Sequence, residues 1–134
     1  MRVIVDTSVW SLALRRRKPA ASPHCDLLRR LIMDGETVLL GAIRQELLSG
    51  IRFPEQYQRL KLRLRAFPDL TLETGDHELA AAFFNTCMSK GIAGGPIDLL
   101  ICAAAHRRRY MILTTDPDFD HYGRHLSIDL LKPS

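Results

Sequence analysis

Four carboxylates occupy positions in this chain where an acidic side chain is costly unless it binds something. Asp6 and Asp116 each end an apolar run, whereas Glu46 and Asp98 are single charges on otherwise apolar helix faces. An isolated buried carboxylate normally pairs, protonates or binds a metal. If the four meet, Mg²⁺ or Mn²⁺ is the expected counterion, because hard cations prefer oxygen ligands and can activate water against a phosphodiester.

Each acid also has a simpler structural interpretation, which the sequence leaves open. Asp6 could cap the helix that follows it, and Asp98 could complement a helix dipole two residues after Pro96. Asp116 precedes a proline and could belong to a turn. Glu46 shares a helical stripe with apolar residues, so we expect it to point inward, where a salt bridge would be the alternative to a metal.

Strands and helices alternate along the chain, as in a parallel sheet covered by helices. Strands are predicted at Arg2–Asp6, Thr37–Leu40, Leu70–Glu73, Met111–Thr115 and Leu126–Leu130. Helices are predicted from Thr7 or Ser8, at His24–Met33 and Ala42–Ser49, after Pro54, and at Asp76–Lys90 and Ile97–His106. We therefore predict one domain over residues 1–134, an α/β three-layer α/β/α sandwich with a central, mostly parallel sheet. Sites in such folds form where strands end.

Basic residues could bring an anionic partner to such a site. The formal net charge is +4, and the run Arg15, Arg16, Arg17 and Lys18 follows the helix that begins beside Asp6. These four are candidate contacts to a phosphate backbone. The runs Arg59–Arg65 and Arg107–Arg109 are equally typical of solvated helix faces, and the second also suits the negative end of a helix.

Other classes of site find little support. The three cysteines and five histidines lack zinc-ligand spacing, and no nucleophile motif is present. No run approaches the roughly 18 apolar residues of a membrane span, and the odd cysteine count favours a reducing compartment. We expect a cytoplasmic protein without a membrane partner.

Four segments in order resemble the PIN domain, and the short chain resembles its VapC-type toxins. They are V-I-V-D-T-S-V-W, I-R-Q-E-L-L, I-D-L-L-I-C-A-A-A and I-L-T-T-D-P-D-F. The resemblance implies that Asp6, Glu46, Asp98 and Asp116 are the catalytic, metal-binding acids. Further positions of lesser weight are a fifth acid and small hydroxyl residues, namely Asp118, Thr7, Ser8 and Thr114.

The resemblance also implies an activity and partners. Such proteins are Mg²⁺- or Mn²⁺-dependent endoribonucleases, commonly homodimers, held inactive by a cognate antitoxin. The predicted function is therefore hydrolysis of RNA phosphodiester bonds by the toxin of a type II toxin–antitoxin pair. The alternatives are a non-catalytic basic module that binds RNA or protein, and an aspartate-nucleophile phosphotransferase. The latter usually needs a second aspartate where this chain has Ser8.

Overall fold

Short strands alternate with helices along the chain, and the computed structural model describes residues 1–15, 18 and 21–134. The strands are β1 (Val3–Val5), β2 (Thr37–Val38), β3 (Met111–Leu113) and β4 (Asp129–Leu130). The helices are α1 (Thr7–Trp10), which continues as a π-helical turn at Ser11–Arg15, α2 (Pro23–Met33), α3 (Gly41–Leu48), α4 (Pro54–Leu64), α5 (Thr74–Ser89), α6 (Pro96–Arg108) and α7 (Asp118–Gly123). The predicted α/β alternation is confirmed.

The four strands form one parallel sheet in the order β2-β1-β3-β4. Parallel neighbours need long crossover connections, and the helices supply them. The result is the predicted α/β/α architecture. In the register of the two central strands, Val5 pairs with Leu113, and the amide of Asp6 donates to the Leu113 carbonyl at 2.9 Å. The residues that follow β1 and β3 therefore emerge side by side at the carboxyl edge of the sheet.

The core covers both faces of the central strands, which explains their unbroken apolar sequence. All three β1 residues are fully buried. Trp10 is also fully buried, and its indole N–H donates to the Val5 carbonyl at 3.1 Å. Helix α6 packs against α5, β1 and β3, so its residues 101–105 are buried. Burial on several sides explains why this helix carries no polar face.

Three free cysteines contribute to the same interior. Cys25, Cys87 and Cys102 are all buried, as expected for cysteines that act as small hydrophobes. Burial raises the pKa of the Cys87 thiol. In the described part of the chain, none of the helices is both long and apolar enough to cross a membrane.

The predicted strand at residues 70–73 is wrong. A single bridge lies just before this segment, between Leu39 and Asp69, and the amide of Leu70 donates to the Leu39 carbonyl at 2.8 Å. The chain then turns into α5, where Glu73 and Asp76 form a capping box. Because the capping box commits the chain to a helix here, the pairing does not continue beyond a single bridge.

One further difference concerns the C-terminal part. Residues 118–123 form the short helix α7, which was not predicted from the sequence. Phe119 and Tyr122 anchor one side of it in the core. Helix α4, by contrast, is confirmed. It begins at Pro54 and buries Leu60 and Leu64.

A buried ion pair joins α5 to the end of α6. Asp76 is fully buried and accepts two hydrogen bonds from Arg108, at 2.7 and 2.8 Å, and lies 2.9 Å from an Arg107 nitrogen. The Arg108 hydrogen bonds hold the pKa of Asp76 well below its usual range, against the opposing effect of burial. These arginines are therefore structural. They lie in the last turn of α6, as expected for cations at its negative end, but they pair with a buried carboxylate instead of forming a solvated helix face.

Candidate metal centre at the carboxyl edge of the sheet

Asp6 follows β1 and is almost fully buried, at 5% exposure. It occupies the position before α1 but makes no capping bond to that helix. Its Oδ2 atom instead accepts from the hydroxyls of Ser8, at 2.9 Å, and Thr114, at 2.8 Å. The capping interpretation of Asp6 is therefore wrong, and this carboxylate is held in one orientation by two hydroxyl donors.

The same hydroxyls connect the ends of the two central strands. Thr114 accepts from the amide of Asp116 at 2.9 Å, and Ser8 accepts from the amide of Thr115 at 3.1 Å. Because each hydroxyl both donates and accepts, the network fixes the backbone after β3 relative to Asp6. Ser8 and Thr114 thus lie where the sequence predicted small hydroxyl residues.

Asp98 lies in the first turn of α6 and is half-buried. The Tyr122 hydroxyl donates to its Oδ2 at 3.1 Å. The pKa of Asp98 is raised to about 6, first by burial and then by the negative charges of Asp6, Asp116 and Glu46, while the Tyr122 hydrogen bond acts in the opposite direction. The four predicted acids therefore share one electrostatic environment.

Three acids come close enough to share one ion. Asp98, Asp116 and Asp118 each offer a carboxylate oxygen within 4.8 Å of the others. The amide of Asp118 also donates to Asp116 at 2.9 Å, so the turn interpretation of Asp116 is correct and is compatible with its place in the cluster. The donor set consists of hard oxygens, which suits Mg²⁺ or Mn²⁺ better than a thiophilic metal.

Glu46 differs from its prediction. It is exposed rather than turned inward, and it accepts a hydrogen bond from the Thr7 hydroxyl at 2.7 Å. The inward face of α3 is set by the buried Ile43 and Leu47, and Glu46 lies about 100° around the helix from Leu47. The neighbouring Leu48 packs partly buried against the core.

The close group contains two of the four predicted acids and one that was predicted as secondary. Asp98, Asp116 and Asp118 form it, whereas the charges of Asp6 and Glu46 act on Asp98 and raise its pKa. Tyr122 was not predicted. Its signal was the spacing from Phe119, which buries both aromatic rings on one side of α7 in edge-to-face contact.

The predicted basic run is only partly within the described residues. Arg15 is half-buried at the end of the π-helical turn, and its carbonyl accepts from the Gln56 amide at 3.2 Å. Lys18 is exposed. Arg16 and Arg17 lie outside the described residues.

The chain is therefore an α/β protein whose parallel sheet carries an acidic site at its carboxyl edge. The sequence matches the PIN domain family over residues 3–125. The chain therefore belongs to that family, as the four segments predicted.

Solved structures confirm the fold. The chain is similar to FitAcB from Neisseria gonorrhoeae, with a TM-score of 0.77, 19% identity, and coverage of 98% of this chain and 97% of that one. It is similar to VapBC2 from Rickettsia felis, bound to a promoter DNA fragment, with a TM-score of 0.72, 16% identity, and 98% of both chains covered. It is also similar to VapBC-1 from nontypeable Haemophilus influenzae, with a TM-score of 0.72, 17% identity, and coverage of 97% of this chain and 98% of that one. None of the curated proteins matches the sequence significantly.

Proposed function

We propose that this protein is a Mg²⁺- or Mn²⁺-dependent endoribonuclease. The observation that carries the proposal is the approach of three carboxylates, Asp98, Asp116 and Asp118, to within 4.8 Å of one another. Carboxylates this close repel one another unless a cation or a proton lies between them. Membership of the PIN domain family supports hydrolysis of a nucleic-acid phosphodiester as the reaction.

The residues would divide the work according to their surroundings. Asp98, Asp116 and Asp118 would hold the ion, and Asp6 would join them, since both of its described hydroxyl contacts go to Oδ2 and leave Oδ1 for a ligand. A bound divalent ion would lower the pKa of water and stabilise charge on the phosphate. Glu46 is exposed and would hold water at the edge of the site, fixed in place by the Thr7 hydroxyl.

We also propose that the chain is the toxin of a type II toxin–antitoxin pair. Its fold covers nearly the whole length of chains from VapBC complexes, and one further similar structure is described as a toxin–antitoxin complex from Klebsiella pneumoniae. A cognate antitoxin and a homodimer would then be its protein partners. A small open reading frame directly upstream of the gene would support this role.

Metal-dependent cleavage of RNA tests the activity. Purified protein is incubated with total cellular RNA in Mg²⁺, Mn²⁺ or EDTA, beside Asp116→Asn and the matched control Asp120→Asn. Asp120 is exposed and binds Lys132 at 2.8 Å, so its substitution makes the same chemical change outside the cluster. Discrete cuts are expected from the wild type and the control in Mg²⁺ or Mn²⁺ alone, and none from Asp116→Asn.

Other results would redirect the assignment. Retention of RNA without cleavage by any folded form would favour the non-catalytic binding module. Release of phosphate from a phosphomonoester, without cleavage of RNA, would favour the phosphotransferase. Equal cleavage by wild type and Asp116→Asn would remove Asp116 from the mechanism.

A further inference from the structure

A groove beside the π-helical turn collects arginines from two segments that are far apart in the sequence. It has a volume of about 690 Å³ and lies between the end of that turn and one face of α4. Its lining includes Arg15, Phe53, Gln56, Arg59, Leu60 and Arg63. We call it the arginine groove.

Helical spacing explains why α4 presents these side chains together. Gln56, Arg59 and Arg63 are separated by three and four residues, so they lie along one face of the helix. Leu60 on the same side is buried and attaches α4 to the core. The Gln56 amide donates to the Arg15 carbonyl at 3.2 Å, which fixes the opposite wall of the groove relative to this face.

An exposed aromatic ring stands at the start of α4. Phe53 is 63% exposed, and the guanidinium of Arg52 lies 5.8 Å from its ring centre. Arginine and an exposed aromatic ring together form the usual surface for single-stranded nucleic acid, because bases stack on the ring while the cations contact phosphates.

The arginine groove and Asp6 lie at the two ends of one segment, formed by α1 and its π-helical turn. Arg15 is nine residues beyond Asp6, which is at most about 14 Å along a helix at the α-helical rise of 1.5 Å per residue. Helix α3, which carries Glu46, packs on both α1 and α4. A chain bound in the groove would therefore extend toward the carboxyl edge of the sheet.

A larger depression elsewhere lacks this combination. Its volume is about 780 Å³ and its lining includes Arg107, Arg109 and Asp129. Arg107 is already engaged by the buried Asp76, and Asp129 would repel a phosphate. The lining of the arginine groove contains no acidic residue within the described part of the chain.

We infer that the arginine groove binds a single-stranded segment of the RNA substrate. This segment would flank the phosphodiester that is cut at the acidic cluster. This inference rests on the proposed function, because it takes RNA as the substrate. It adds Arg59, Arg63 and Phe53 to the predicted contact at Arg15.

The test separates phosphate contacts from stacking. All variants are made in an Asp116→Asn background and titrated in EDTA with a fluorescently labelled single-stranded oligoribonucleotide over a range of salt concentrations. The double variant Arg59→Gln/Arg63→Gln should bind on the order of tenfold more weakly at 0.1 M salt. It should also reduce the steepness of the plot of log association constant against log salt concentration by about 1.4, because each of the two lost phosphate contacts contributes roughly 0.7.

Matched controls remove the same groups elsewhere. Arg2 and Arg30 are exposed, so Arg2→Gln/Arg30→Gln loses the same charge outside the arginine groove and should leave the slope unchanged. Phe53→Ala should weaken binding roughly tenfold without changing the slope, because it removes stacking alone. Phe84→Ala, which removes another partly exposed ring, should have no effect.

Three results would overturn the inference. They are an unchanged slope in the groove variant, an equal loss in the two arginine pairs, or normal RNA binding by groove variants that no longer bind the cognate antitoxin. The last result would assign the groove to a protein partner. If the groove inference fails, the proposed nuclease function can still stand. Metal-dependent cuts that vanish in Asp116→Asn would establish the nuclease independently.

Discussion

The raised pKa of Asp98 predicts that removing its charge stabilises the metal-free protein. In the absence of a cation, the ionised carboxylate is half-buried and faces the charges of Asp6, Asp116 and Glu46. Asp98→Asn removes this repulsion with little change of shape. The amide oxygen can still accept the hydrogen bond from Tyr122.

The size of the effect follows from the shift in the pKa. A change from 3.8 to about 6 corresponds to about 3 kcal/mol at 1.36 kcal/mol per unit. Water reaches this half-buried group, so we expect a gain of about 1–2 kcal/mol at pH 7. The folded state of the wild type holds the proton more tightly than the unfolded state, so its stability falls as the pH rises from about 4 to about 6. The variant should lack that fall.

Urea unfolding at several pH values, with and without Mg²⁺, measures both consequences. In EDTA at pH 7 the Asp98→Asn variant should be more stable than the wild type. Mg²⁺ should stabilise the wild type, because it binds the folded state, and should have little effect on the variant. A variant less stable than the wild type in EDTA, or equal stabilisation of both by Mg²⁺, would refute the reasoning.

Three further substitutions test other parts of the structure. Asp76→Asn should lower the free energy of unfolding by about 3 kcal/mol at pH 7, since it leaves Arg108 without its buried partner. This contribution is present above about pH 4 and lost as the pH falls below it, because the pKa of folded Asp76 is depressed. Tyr122→Phe should weaken Mn²⁺ binding about tenfold by calorimetry, since it removes the donor that orients Asp98. Arg109→Gly should raise the unfolding free energy by about 0.5–1 kcal/mol, because Arg109 has a φ of 59°.

Each of these has an internal control. The difference between wild type and Asp76→Asn should shrink at pH 3, and a constant difference would contradict the ion-pair account. Tyr122→Phe should keep its fold, so weaker Mn²⁺ binding with an unchanged circular dichroism spectrum separates positioning of Asp98 from loss of structure. Arg109→Ala keeps the left-handed strain and should show no gain, so equal stabilisation by alanine and glycine would disprove the conformational explanation.

The sequence predicts those parts of the site whose positions follow from the order and direction of the strands. Asp6 and Asp116 follow parallel neighbouring strands, and any such pair emerges at one edge of the sheet. The direction of Glu46 depends on which side of α3 meets the core, and adjacent helical positions differ by about 100°. A sequence stripe could not resolve that difference.

Contacts between distant segments are beyond such reasoning. The Tyr122 hydroxyl reaches Asp98 across 24 residues, and the Gln56 amide reaches Arg15 across 41. Both depend on how helices pack rather than on local pattern. The predicted strand at residues 70–73 fails for a similar reason. Its pairing stops at Asp69 and Leu70, and the capping box of Glu73 and Asp76 then begins α5.

The position of a bound ion tests the central claim most directly. Crystals grown with Mn²⁺ and measured near the manganese absorption edge give an anomalous difference map that locates the metal without assumptions about its ligands. The account predicts a peak within about 2.5 Å of oxygens of Asp98, Asp116 and Asp118, and its loss in Asp116→Asn. A peak elsewhere, or a wild-type cluster that stays empty at saturating Mn²⁺ while the protein still cleaves RNA, would contradict it.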